Sequence, residues 1–462
     1  MVLSQLNMLP MGFLVVLSGV SAIFWLIPLI GHVVSRKRAI AVKVVSVLMI
    51  LILFTGIYFA QQFGSALRGF SGDGRTTMID NVVVAVLVDD PAESLEDARH
   101  YTFGVQYVSE GESIREAIDE INATLGTTVV EREYGGLFEQ IEGLLAGEVQ
   151  AIIYNEAFQT VLDEIRPEFL DEIRVIAVIQ TVTELDSAAV DIEIADESFA
   201  VFISGIDVFG AIETNGLSDV NMLMVVNPVT HQILLINTPR DYYIPFPGIT
   251  GGQRDKLTHA GIYGVHASMD ALSALYGVDV PFYVRVNFTS FIDIIDALDG
   301  IDVYSQRAFT TSLGMPVSQG INRFNGTQAL EFSRERFNVV GGDIGRGANQ
   351  QAVITAILRR AMSPAILRGA NSILNSVETG MDTNMSYEQI QTLIRNQLSD
   401  SPAWNIKSMG VDGEFSMSTE CFSMPGWELF VILPDQASID LAKEQIAALQ
   451  RGEILEDAEL LQ

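Results

Sequence analysis

The sequence predicts an α/β protein with a central mixed sheet flanked by helices, preceded by a smaller α/β unit and a membrane hairpin. Three observations predict it. Two long uncharged apolar stretches open the chain, Met1 to Gly31 and Val44 to Leu67. After them, short β-branched runs alternate with segments of helical spacing, the pattern of an α/β fold. That alternation is interrupted once, by the acidic segment 186–198, which separates two units.

Each opening stretch supplies the roughly 20 apolar residues that a spanning helix needs. Arg36, Lys37, Arg38 and Lys43 lie between them and are expected to stay cytoplasmic, so the chain enters and leaves the membrane as a hairpin. The expected organisation is a membrane region with linker over 1–76, an accessory α/β domain over 77–190 and a larger α/β domain with a C-terminal extension over 196–462. The bulk of the chain is then extracytoplasmic.

The elements follow in order. N-V-V-V-A-V-L-V (81–88) reads as a buried strand. Ile114, Ala117, Ile118 and Ile121 predict a helix over 113–122. A strand (127–131), a helix (137–145) and strands at 149–154 and 172–179 complete the small unit. It carries no phosphate loop, metal spacing or nucleophile motif and reads as a scaffold. The second unit opens with strands at 199–204, 220–227 and 232–238. Helical patterns follow at 265–276, 289–298, 326–333 and 345–361. A final segment adds helices at 387–398 and 437–449 and a strand at 427–433.

Charge narrows the function. The chain carries 27 Lys and Arg against 58 Asp and Glu. Residues 1–76 hold six of the basic residues and one acid, which leaves a net of −36 on 77–462. That balance argues against nucleic acid, whose binding rests on phosphate neutralisation over a broad basic surface. The only cysteine, Cys421, cannot form an internal disulfide and reads as a small buried apolar residue.

Against this acidic background, Arg240, Arg334, Arg336, Arg346 and Gln350 stand out. Planar guanidinium groups grip phosphates bidentately. Arg240 and Asp241 follow the strand 232–238, presented from a rigid exit by Pro239. Lys256 and His259 precede a helix; the lysine suits a phosphate and the histidine a hydrogen bond, and both also suit an ordinary solvated loop. Arg334 and Arg336 point the same way only if the chain leaves its helix extended. Glu331 and Glu335 either orient them or are solvated charges. Arg346 and Gln350 share one face of a helix that Asp343 caps. Asp207 and Asp219, at neighbouring strand ends, are two carboxylates able to share a hard cation or to act as turn residues.

The ordered motifs N-T-P-R-D-Y-Y, D-K-L-T-H-A-G-I-Y-G, F-N-G-T-Q-A-L-E-F-S-R-E-R and G-D-I-G-R-G-A-N-Q-Q, spread over about 199–360, resemble the catalytic domain of the LytR–CpsA–Psr family. The membrane region and the small α/β unit resemble those of its capsule-linked members. The resemblance implies a phosphotransferase. It would move a glycopolymer, such as teichoic acid or capsule, from an undecaprenyl-pyrophosphate carrier to a peptidoglycan sugar hydroxyl outside a Gram-positive cell membrane. It implies Mg²⁺ on Asp207 and Asp219, pyrophosphate held by Arg240, Arg334, Arg336 and Gln350, and an apolar tunnel for the lipid tail. Lys256 and Arg346 join the substrate site, and Asp241 and Asp219 are the candidate bases. Two positions depart from the family pattern: Leu217 and Asn349 stand where it carries arginine. Each lost charged hydrogen bond costs on the order of 1.5–3 kcal/mol, which keeps two rival readings open: a non-catalytic polyprenyl-phosphate binding protein and a polyprenyl-pyrophosphate hydrolase.

Overall fold

The computed structural model describes residues 77–108, 111–184, 192–206, 216–363, 381–400 and 402–455, with isolated helical positions between 15 and 58. The expected membrane hairpin therefore lies almost wholly outside the described residues. Among the described residues, no helix is long and apolar enough to cross a membrane.

The first unit is a five-stranded sheet built from β1 (Thr77–Leu87), β2 (Thr102–Val105), β3 (Val130–Glu133), β4 (Ala151–Asn155) and β5 (Ile173–Glu184), in the order β3-β2-β4-β1-β5. Valines 82 to 84 of β1 have no exposed surface, because both faces of the sheet are covered. Helix α1 (Gly111–Leu125) buries Ile114, Ala117, Ile118, Ile121 and Leu125, a stripe at helical spacing, against one face. Helix α2 (Leu137–Leu145), with α3 (Gln159–Ile165) and α4 (Pro167–Glu172), covers the other. Gln140 of α2 donates to the carbonyls of Gly104 and Ile153, both at 2.8 Å, and so pins the helix across β2 and β4.

The second unit is a six-stranded mixed sheet. Its strands are β6 (Phe199–Ile206), β7 (Ser218–Asn227), β8 (Gln232–Thr238), β11 (Phe282–Asn287), β16 (Met381–Thr383) and β17 (Asn405–Gly410), in the order β16-β11-β6-β7-β8-β17. Beside it run the short ribbons β9 (Tyr243–Pro245) with β10 (Arg254–Lys256), β12 (Ile301–Ser305) with β15 (Gly320–Phe324), β13 (Phe309–Thr310) with β14 (Pro316–Val317), and β18 (Gly413–Ser418) with β19 (Leu429–Pro434). Helices α5 (Val265–Tyr276) and α10 (Gln436–Gln450) close one face over Phe202, Leu223, Leu234 and Ile236. Helices α8 (Asp343–Ala361) and α9 (Tyr387–Asp400) lie on the other. Helices α6 (Phe288–Ala297) and α7 (Gly326–Arg334) cover a satellite core at one end.

The two units share one apolar cluster. Ile141, Tyr154 and Phe158 of the first meet Leu217, Cys421, Met424, Trp427 and Val431 of the second. Trp427 stands edge-on to Phe138 with ring centroids 4.9 Å apart. Cys421 is fully buried there, and burial pushes its thiol up to about 12, as expected of a small core residue rather than a reactive one.

Candidate functional site

The site forms where β7 begins, β8 ends and α8 begins. Asp219 is the second residue of β7, and Arg240 lies two residues beyond β8. Arg240 Nη1 donates to Asp219 Oδ1 at 2.9 Å. Asp241, 1% exposed, receives Lys256 Nζ at 2.6 Å on Oδ1 and lies 3.8 Å from Arg240 Nε. Burial alone would raise the Asp241 pKa, but the Lys256 and Arg240 cations, with Arg336 beyond, hold it below its ordinary value. Asp241 is thus an anion that binds two cations, a poor choice for taking up a proton.

Helix α8 supplies the opposite wall. It begins at Asp343, two residues earlier than the sequence pattern implied, with Gly342 rather than Asp343 at its cap position. Gly341 and Gly342 have φ of 86° and 57°, a left-handed pair suited to glycine. Asp343 pairs with Arg346. Burial pushes the Asp343 pKa up against Arg346, and Asp241 adds to the rise while Arg240 and Arg336 oppose it. Gly347 brings α8 unusually close to the sheet: a Cβ there would stand 2.1 Å from Asn237 Nδ2.

Helix α7 ends at Arg334, and Glu335 is extended (φ −63°, ψ 125°). That is the geometry in which Arg334 and Arg336 project on the same side of the chain. Glu335 points the other way and is 5% exposed. It accepts from the backbone N–H groups of Ser312, Phe337 and Asn338 and from Ser312 Oγ. Glu335 therefore shapes the loop between the arginines and α8 rather than orienting them. Arg334 lies over the Phe288 ring at 4.5 Å.

His259 is buried with Asp255 and Ser423. Its Nδ1 is 2.7 Å from Asp255 Oδ1 and 2.8 Å from Ser423 Oγ. A nucleophilic serine needs the other ring nitrogen, so this trio is a clasp. Ser423 N also donates to Asp255 Oδ2 at 2.7 Å, which ties the 419–427 loop to β10 and hence to Lys256.

The face of α8 that begins in this site continues beyond it. Arg346, Gln350, Ile354 and Leu358 are spaced by four and all half-buried. Ile354 and Leu358 lie against the sheet with Ile203, Val220, Met224, Val284, Ile390 and Leu393, all apolar and none fully buried. Each of these side chains keeps part of its surface exposed, and from Arg346 to Leu358 this face runs ~18 Å along the helix.

The sequence model of the LytR_cpsA_psr family matches residues 177–432, more than half of the chain. The chain belongs to the LytR–CpsA–Psr family. Among curated relatives, the polyisoprenyl-teichoic acid–peptidoglycan teichoic acid transferase TagU of Oceanobacillus iheyensis is 32% identical over 205 residues, 43% of this chain and 62% of that protein. The protein of the same name from Bacillus mycoides is 28% identical over 255 residues, covering 55% and 80%. The chain thus spans less than two thirds of the Oceanobacillus protein. The crystal structure of B. subtilis TagV is 20% identical with a TM-score of 0.46, over 56% of this chain and 99% of that one.

The LytR–CpsA–Psr motifs converge as follows. Arg240, Asp241, Lys256, Asp219 and Arg346 meet through direct ion pairs or shared partners, and Arg336 acts on both Asp241 and Asp343. Gln350 lies one turn along α8 from Arg346. Asp207 follows the last residue of β6 and lies outside the described residues. His259 serves the clasp. Leu217, 8% exposed, belongs to the cluster joining the two units, a place that suits an apolar side chain. Asn349 Nδ2 donates to the Phe332 carbonyl at 3.2 Å and anchors α8 to α7. Sequence reading missed Asp343 as a site residue, having taken it for a cap, and missed Asp255 and Ser423. The spacing of Asp255 and His259, four apart before a helix, was the one available signal.

Proposed function

We propose that this protein is the family's phosphotransferase: it moves a glycopolymer from an undecaprenyl-pyrophosphate carrier to a peptidoglycan sugar hydroxyl on the outer face of the membrane. The observation that carries the reading is the α8 stripe, cationic at Arg346, polar at Gln350 and apolar at Ile354 and Leu358. It matches an amphiphile with an anionic head and a hydrocarbon tail, and the names of the TagU relatives describe such a transfer.

In this reading Arg240, Lys256, Arg334, Arg336, Arg346 and Gln350 receive the pyrophosphate. Asp241 keeps Arg240 and Lys256 fixed, so the positive charge is in place before the transition state forms. The acceptor hydroxyl oxygen attacks the sugar-linked phosphorus and forms a new P–O bond. The bridging P–O bond breaks, and polyprenyl phosphate leaves with the electron pair. The hydroxyl proton goes to Asp343, the carboxylate here whose pKa is raised. Asp219, half-exposed and keeping oxygen capacity beyond its bond to Arg240, suits Mg²⁺. Asp219 and Asp207 would hold that ion, which would neutralise pyrophosphate charge.

The test is transfer by the full chain in detergent, with a polyprenyl-pyrophosphate-linked sugar, a peptidoglycan oligomer and Mg²⁺, beside Arg240→Ala. The expected result is acceptor-dependent phosphodiester product, lost in the variant. Free phosphorylated sugar formed without acceptor would make it a hydrolase. Tight lipid binding without product would make it a binding protein.

A further inference from the structure

The site is rimmed by a lip that the chemistry above does not use. Phe337 and Val340, in the loop between α7 and α8, are 86% and 69% exposed, and Leu313, in the turn between β13 and β14, is 84% exposed. These are not stray surface residues on separate floppy loops. Glu335 accepts from Ser312 N and Oγ and from Phe337 N, and Asn338 Nδ2 donates to Ser312 Oγ at 3.3 Å. The carboxylate that shapes one loop thereby fastens it to the other. Both loops present large apolar side chains outward from a cross-linked base.

The segments that carry the lip are net cationic, although the half-buried Glu331 also reaches their base at Thr311. Residues 306–318 and 334–346 contain Arg307, Arg334, Arg336 and Arg346 and only two acids, Glu335 and Asp343. Both acids are buried and already partnered. Arg307 and Arg334 are exposed. In a chain of net charge −31, this is a local cationic rim around an apolar tip. Apolar and aromatic side chains flanked by arginine are what an interfacial lipid contact uses: the tip enters the headgroup layer while the guanidinium groups meet anionic headgroups. The uncharged stretch ending at Leu67 lies ten residues before Thr77, so a bilayer holding it is at most about 35 Å from the start of β1.

We propose that Leu313, Phe337 and Val340 form a membrane-contacting lip that seats the arginine site on an anionic bilayer surface. The proposal rests on the reading of a lipid-borne substrate. The lip would set the mouth of the site at headgroup depth, where a carrier's pyrophosphate lies, so that the tail need not leave the bilayer before the head is bound.

The test uses the full chain with Phe337→Cys carrying an environment-sensitive fluorophore. Cys421 is fully buried and stays unlabelled. The control label is Val229→Cys, in the turn between β7 and β8, at the far end of these strands from Asp219 and Arg240. Both are placed in nanodiscs of phosphatidylglycerol and phosphatidylcholine containing spin-labelled lipid. The expected result is loss of most of the fluorescence at 337 and little at 229, weaker in discs of phosphatidylcholine alone. Equal quenching at both positions, or none at 337, overturns the proposal. Quenching at 337 only after polyprenyl phosphate is added also overturns it, since the lip would then meet the substrate tail instead. Quenching needs no turnover: a quenched but inactive protein sinks the transferase reading alone, and an active, unquenched one sinks the lip alone.

Discussion

Arg166 and Glu142 of the first unit meet at 2.9 Å with side chains 31% and 51% exposed, whereas Lys256 and Asp241 of the second meet at 2.6 Å with 9% and 2% exposed. The contrast holds at the site, although Arg323 and Arg451 of the second unit also make exposed pairs. Arg99–Glu96 and Arg132–Glu148 also sit at the surface of the first unit, while Arg240–Asp219 and Arg346–Asp343 are mostly enclosed in the second. Exposed pairs contribute little, because water already solvates both partners. Enclosed pairs are costly to desolvate, and hydrophobic replacements often do as well for stability. A domain that nonetheless encloses three of them around one site keeps them for something other than folding. The first unit holds itself together with Ile114, Ile121, Phe103 and Phe169; the second adds to an equally apolar core a set of charges held in place for an anion.

The sharpest break of this comparison is Lys256→Met. It leaves Asp241 buried with one cation fewer and is expected to cost about 3–5 kcal/mol, read as a fall in the denaturation midpoint. A loss below 1 kcal/mol would mean that Asp241 is not held by Lys256 and that the contrast between the units is false. The pH dependence has a definite sign. Asp241, Asp255 and Glu335 have folded pKa values below the ordinary 3.8, 3.8 and 4.5. Their contribution is therefore complete above those values and is lost as pH falls through the lower folded ones. Asp343 runs the other way: its folded pKa is raised above 3.8, so its contribution is complete below that value and is lost as pH rises through the folded one.

Asp343→Asn tests function apart from stability. A positioned base contributes about 10²–10⁴-fold, so transfer is expected to fall by that factor while the substitution relieves the cost of an ionised buried carboxylate. The decisive reading is the pH–rate profile: the acidic limb should disappear in the variant. If the limb persists with its midpoint unmoved, Asp343 is only a partner for Arg346.

Much of the frame was legible because periodicity is written by burial. The bounds of β8, α2 and α5 follow the apolar pattern to the residue. Strand β11, second from the edge of the sheet, was missed although Phe282, Val284 and Val286 alternate with Tyr283, Arg285 and Asn287, because it is only six residues long and runs straight into α6; Arg285 is buried beside Asp382 at 3.7 Å. Strand β17 was missed because Lys407 interrupts a short segment. In the site, arginines were legible against an acidic chain, as was the shared face of Arg346 and Gln350. The carboxylates were harder, because aspartate and glutamate mark caps and solvated faces equally well. Glu335 read equally as a partner of the arginines or a solvated charge and proves to be the buried post of a loop. The clasp of His259 to Ser423 spans 164 residues, and the place of Leu217 between units depends on a docking that no local pattern encodes.

A smaller effect separates geometry from charge. Gly347→Ala puts a methyl where Asn237 Nδ2 already stands. Overpacking of this kind costs about 1–3 kcal/mol, and the displaced α8 carries Arg346 and Gln350 with it. The expected outcome is a modest fall in melting temperature with a larger fall in affinity for polyprenyl phosphate. Stability and affinity falling in strict proportion would mean that α8 has no special relation to the ligand.

The smallest expected effect guards the comparison from the other side. Arg166→Ala removes the partner of Glu142 where both side chains meet water. Exposed pairs measure about 0.2–1 kcal/mol, and salt should shrink even that, since charges in solvent are screened over ~10 Å at 0.1 M. The same salt series on Lys256→Met should change little, because that pair is screened by protein rather than by ions. If Arg166→Ala cost as much as Lys256→Met, burial would not be what distinguishes the two units, and the charges at Asp241 would lose their claim to be held for an anionic substrate. If the two separate as expected, the acidic first unit contributes its apolar docking face at Phe138 and Tyr154 to the molecule, and its charges serve only solubility.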